Sequence, residues 1–139
     1  MKIEDIMEMW GEDSHIDDKD LDNESLKIPN LHQKYLDIYS KGKRKLSDLK
    51  THWKVLFQQR WEVVISKNGR PPEHNIRISK SELEKHYVAA DESLQKAEKI
   101  LNEQEGKVDY LKSVLSMIEN RSFHINNAIS WRKFVAGLG

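Results

Sequence analysis

Leu46-Ser47-Asp48-Leu49-Lys50-Thr51-His52-Trp53-Lys54-Val55-Leu56-Phe57-Gln58-Gln59-Arg60-Trp61-Glu62-Val63 decides how this chain is read. Leu46, Leu49, Trp53, Leu56, Arg60 and Val63 recur at alternating steps of three and four residues, the a/d seam of a packed helix. Arg60 stands where that seam asks for an apolar residue. Lys50 and Lys54 lie beside the seam, four residues apart and so on one face.

Helical spacing continues on both sides. Ile3, Ile6, Met7 and Trp10 form one face of a short helix, with Gly11 as its expected stop. Pro29 is expected to start the next helix, carrying Leu31, Tyr35, Leu36, Ile38 and Tyr39, and Gly42 to bend or break it. After Val63-Val64-Ile65, the run Ser66 to Glu73 reads as a loop, followed by Ile76-Arg77-Ile78. These flanks suit either a short hairpin near 63–78 or a helix end followed by extended chain, the second being favoured. Ser79 or Ser81 can cap another long helix through Leu83, Tyr87, Leu94, Ala97 and Leu101, with Gly106 as an interruption. Val108, Leu111, Leu115 and Ile118 then repeat with a/d spacing, and Ile125 and Ile129 hold the register. Ser122 is the polar lapse, read as a break that caps the last helix. Tyr110, Val114 and Met117 add a second stripe. Two stripes exceed what a helical hairpin needs, so an extra partner surface is expected on Val108, Leu111, Leu115, Ile118, Ile125 and Ile129. The fold class is mainly α. A helical region over 1–104 is followed by an assembly region over 105–139.

Composition excludes several classes. The chain has 139 residues, one domain at the usual ~100–200. It has no cysteine, which removes disulfides, thiol catalysis and cysteine-held zinc. Its acidic start, Met1-Lys2-Ile3-Glu4-Asp5, has no apolar run and is not a signal peptide. No stretch approaches the ~20 apolar residues of a membrane span, so no membrane contact and a cytoplasmic location are expected. Asp18, Asp20 and Asp22 alternate as in a calcium loop, but Asn23 and Pro29 stand where Gly and Glu are required. The six histidines form no zinc motif, and no Gly-rich phosphate loop or nucleophile elbow is present. No catalytic residue, metal or cofactor is implied, and the chain is not expected to be an enzyme.

The formal net charge of zero is a sum of unequal parts. Residues 1–25 carry a net −8, and residues 34–80 a net +8. Such asymmetry bears on partners where the total does not. Lys43, Arg44, Lys45, Lys50, Lys54 and Arg60, with Lys67 and Arg70 beyond, are interleaved with Trp53, Phe57 and Trp61. Cations that neutralise phosphates, beside aromatic faces that stack unpaired bases, suit single-stranded nucleic acid. The bland alternative makes the aromatics core and the lysines a solvated face. The acidic segment either shields the basic one or docks a basic partner.

Several motifs together resemble the UvsY family, recombination mediators of T-even-like tailed phages. They are Met1-Lys2-Ile3-Glu4-Asp5-Ile6 with Glu8, Ile16-Asp17 before Leu21, and Lys34-Tyr35-Leu36. Lys80-Ser81-Glu82-Leu83 with Ala90-Asp91 continues the series, and Ile118, Arg121, Phe123, Ile129, Arg132, Phe134, Ala136 and Gly137 end it. The resemblance implies a non-enzymatic homo-oligomer, a ring of roughly six or seven identical subunits. It implies binding of single-stranded DNA, help in displacing the phage single-strand-binding protein, and loading of the phage recombinase, within the infected bacterial cell. It also implies a DNA-binding motif of the form Leu-Lys-Ala-Arg-Leu, here Phe57-Gln58-Gln59-Arg60-Trp61: the arginine is kept, and the lysine is replaced by Gln58. Lys54 or Lys67 can supply the missing charge. The competing expectations are a helical phage scaffold that binds only protein and a duplex-DNA architectural protein.

Overall fold

The computed structural model describes residues 1–68 and 91–138, with 62–68 described as helical backbone. Among the described residues there are four helices: α1 (Ile3–Asp13), α2 (Leu21–Asn68), α3 (Glu92–Glu119) and α4 (Arg121–Val135). No strand occurs among the described residues. Val63-Val64-Ile65 are helical, so a hairpin at 63–78 has no first strand. Ile76-Arg77-Ile78 and the proposed caps Ser79 and Ser81 lie outside the described residues.

Punctuation residues proved weaker than packing. Gly11 lies inside α1, Pro29 and Gly42 inside α2, and Gly106 inside α3. Pro29 removes one helical N–H, yet Leu21 and Glu24 before it and Tyr35 after it are all buried, and that burial carries the helix through. Residues 17–20 form the turn that enters α2. There Lys19 N–H donates to Asp17 Oδ1 at 3.0 Å, and the Asn23 amide donates to both Asp20 oxygens. The break between α3 and α4 falls at Asn120, two residues before the expected Ser122.

The chain divides into two compact units. The first comprises Met1–Lys43 and Gly106–Gly139. Its core is Ile6 and Trp10 of α1, Tyr35 of α2, and Leu111, Val114, Leu115 and Ile118 of α3. Trp10 meets Tyr35 edge-on, with centroids 5.4 Å apart. Val108 and Ile125 are buried as well, and Ile129 is half-buried. Much of the stripe expected to meet a partner is thus buried within its own chain: Val108, Leu111, Leu115 and Ile118 of α3, and Ile125 of α4. The second stripe is split, with Val114 buried and Met117 exposed.

A polar cluster locks the same unit. Asp13 at the end of α1 accepts from Lys34 Nζ at 2.6 Å and from the Tyr35 hydroxyl at 2.8 Å. Arg121, almost fully buried, donates to the carbonyls of Ser14 at 2.6 Å and Asp13 at 3.2 Å, and its guanidinium lies 5.7 Å from the centre of the Trp10 ring. A cation at the negative end of α1 is favourably placed. Burial pushes the Tyr35 phenol well above its ordinary range, helped by the bond to Asp13. Burial works against ionised Asp13 too, but the Lys34 and Tyr35 hydrogen bonds prevail and hold its carboxyl below the usual value.

The second unit comprises Arg44–Glu105. Its described core is thinner. Leu46 and Leu94 are buried, while Leu49, Trp53, Leu56 and Ala97 are half-buried.

Candidate nucleic-acid interface

Within α2, residues recurring at seven, four, three and four positions share one flank of the helix. Lys43, Lys50, Lys54, Phe57 and Trp61 obey that spacing. The three lysines are exposed, and the two aromatics are half-buried. Lys43 Nζ stands 5.8 Å from the centre of the Tyr39 ring. Further along, the rings of Trp53, Phe57 and Trp61 form a ladder. Trp53 and Phe57 stack at 5.3 Å between centroids, Phe57 and Trp61 at 6.1 Å, and both pairs are tilted by only 18°. The i, i+4 spacing places each ring over the next.

The question left open by the sequence, core or base platform, is answered by degrees. Trp53 and Trp61 are half-buried within the subunit, and each already stacks on Phe57. The Trp53 indole N–H is buried with no hydrogen-bond partner. Trp53 thus belongs to the inner edge of the seam, whereas Trp61 shares the lysine flank.

Arg44 and Lys45 are exposed on other flanks of α2. Arg60, the seam's apparent misfit, is not buried: its Nε donates to Asp91 Oδ2 at 2.6 Å, and its side chain remains about half exposed. The guanidinium, with the N–H groups of Leu94 and Ser93, holds the Asp91 carboxyl below its ordinary value. Lys67 falls in the last turns of α2, and Arg70 lies outside the described residues. The structure therefore gathers Lys43, Lys50, Lys54 and Trp61 on one flank and leaves Arg44 and Lys45 off it.

Two features escaped the sequence reading. Asp91 was noticed only as part of a resemblance, although an Asp directly before Glu92-Ser93-Leu94 is a helix-start signal. On α4, Trp131, Phe134 and Val135 follow the i, i+3, i+4 rule and are exposed, as is Leu138 just past the helix end. Trp131 and Phe134 stack at 5.7 Å. Phe123, 71% exposed, is a further apolar residue on this helix.

Acidity in the first 25 residues is partly matched within its own unit, by Lys34 on Asp13, Arg132 on Asp18 and Lys27 on Glu24. Among the described residues, no three or more His, Asp or Glu side chains gather as a metal site. No helix there is long and apolar enough to cross a membrane.

A family model for the recombination, repair and ssDNA binding protein UvsY matches residues 9–138. The chain belongs to the UvsY family. Crystal structures of the bacteriophage T4 recombination mediator protein UvsY share its fold. One superposes with a TM-score of 0.80 at 27% identity, covering 98% of each chain. A second gives 0.77 at 27% identity over 94% of this chain and 98% of that one. A third gives 0.77 at 24% identity over 96% and 98%. Comparison with curated proteins gives no match. UvsY membership supports a recombination-mediator and single-stranded-DNA-binding role, in a class that is not enzymatic.

Proposed function

We propose that this UvsY-family protein binds single-stranded DNA through the Lys43–Lys50–Lys54–Phe57–Trp61 flank of α2, with Arg60 beside it. The observation that carries this is the flank itself. Three exposed ammonium groups lead along one side of a helix to an aromatic ladder, and the only described acid on residues 43–61 is Asp48. Phosphates then meet the lysines, while the outer ring offers a stacking face. The protein acts as a homo-oligomeric ring in the infected bacterial cell, helps to displace the single-strand-binding protein and loads the phage recombinase. A ring multiplies a weak subunit site, because linked sites gain avidity without new contacts.

Assembly is assigned to residues 105–139. Its contact surface is the outer side of α4, where Trp131 is 65% and Phe134 69% exposed, since most of the α3 stripe serves the subunit core. Aromatic residues left in water on a terminal helix favour burial against another copy.

Two measurements test this reading. Anisotropy of a fluorescein-labelled oligothymidylate, followed across a sodium chloride series, reports binding. Lys50→Ala with Lys54→Ala should weaken it and lower the salt slope by about 1.4, two single-strand phosphate contacts at ~0.7 each. Unchanged affinity and slope would leave the helical scaffold reading in its place. Native mass spectrometry of Trp131→Ser with Phe134→Ser should show smaller species, and an unaltered assembly would remove α4 as the contact.

A further inference from the structure

Asp91 faces two ways. Its Oδ1 accepts the backbone N–H of Ser93 at 2.9 Å and of Leu94 at 3.2 Å, which caps α3. Its Oδ2 accepts the Arg60 Nε–H at 2.6 Å. The Asp91 side chain is 13% exposed, and that of Arg60 47%. One partner is therefore fixed by main-chain bonds, and the other reaches outward from α2.

An oxyanion held rigidly and offering an oxygen to a guanidinium presents the same acceptor chemistry as a phosphate diester. The Arg60 edge that bonds Asp91 is thus an edge a DNA phosphate would use. We propose that Arg60–Asp91 is an exchange contact, in which Asp91 occupies in the free protein the donor edge that a phosphate takes in the complex. This rests on Arg60 being a DNA ligand, as proposed above.

Three observations favour exchange over a fixed strut. The pair is half open to water on its cationic side, and such pairs are weak enough to be displaced. The α3 cap uses the other carboxylate oxygen, so α3 keeps its cap after Arg60 leaves. Arg60 also sits one residue before Trp61, about 100° around α2 from it, so a strand that crosses the helix at that level has both the ring and the guanidinium within reach. Asp91 accordingly lowers the affinity of the resting protein and keeps Arg60 from binding other anions.

Asp91→Asn and Asp91→Ser test the exchange, because both retain an N-cap acceptor while removing the charge. Circular dichroism checks the helix content, and labelled oligothymidylate reports binding at low salt. Both variants should bind about two- to fivefold tighter, and the gain should vanish in an Arg60→Gln background. Unchanged or weaker binding by the folded variants overturns the exchange. So does an equal gain in the Arg60→Gln background, which would make Asp91 a simple repeller of DNA. Arg60→Gln alone separates the two layers: unaltered affinity and salt slope would reject Arg60 as a ligand. A weakened Arg60→Gln with no gain from Asp91→Asn would reject only the exchange. If either Asp91 variant loses helix, carbon-13 titration of the Asp91 carboxyl in the unmodified protein decides. Its pKa should rise toward the ordinary value when oligothymidylate binds, and a value that stays low in the complex overturns the proposal.

Discussion

The two compact units handle their aromatic residues in opposite ways. In the first, Trp10 and Tyr35 meet edge-on inside a closed core, with the Tyr35 hydroxyl hydrogen-bonded and Arg121 against the indole. In the second, Trp53, Phe57 and Trp61 stack face to face on the flank of one helix, half in water, and the Trp53 N–H has no partner. An edge-on pair joins different helices, whereas an i, i+4 ladder stays on its own. Aromatic content alone therefore does not separate core from surface. Whether the rings bridge elements or line one does.

Truncation should therefore cost the units unequally. Leu111→Ala, in the fully buried core, is expected to destabilise by about 3–4 kcal/mol in chemical denaturation. Leu56→Ala, half-buried in the second unit, should cost about 1–2 kcal/mol. Equal costs would erase the distinction. Arg121→Ala, which strips the end of α1 of its cation, should cost about 2–3 kcal/mol, between those two truncations. Tyr35→Phe should cost about 1 kcal/mol for the lost bond to Asp13.

The same cluster predicts a pH signature. Asp13's depressed carboxyl contributes stability that is complete above its ordinary value of 3.8 and is lost as pH falls below it. Tyr35's raised phenol contributes stability that is complete below its ordinary value of 10.0 and is lost as pH rises beyond it. Denaturation midpoints measured against pH should fall at both ends; Tyr35→Phe should abolish the alkaline fall and shrink the acid one, because it also removes one of the bonds that hold Asp13 low. Smallest of all is the effect on dynamics. Amide hydrogen exchange should be faster over residues 44–61 than over 111–118, since fewer buried apolar contacts guard them.

Much of this was legible in the residues. The a/d seam from Leu46 announced a long helix, and Val108 to Ile125 announced burial. Periodicity could not say against what: a stripe covered by α1 and one covered by a second copy look alike in sequence. Pro29, Gly42 and Gly106 misled for a related reason. Their local cost is a few kcal/mol at most, and buried residues on both sides outweigh it. Arg60 broke the pattern visibly, but its partner lies thirty-one residues away, beyond the reach of any helical period. The outer face of α4 was readable from spacing and went unread, because the α3 stripe had already accounted for the expected assembly surface.

The four tryptophans carry one last consequence. Trp10 sits in the closed core, Trp53 and Trp61 flank the ladder, and Trp131 stands exposed on α4. The three places are the core and the surfaces proposed above for strand binding and assembly. Variants that keep a single indole would thus emit separately from each, so one wavelength of ultraviolet light could time the three events in sequence within the same molecule.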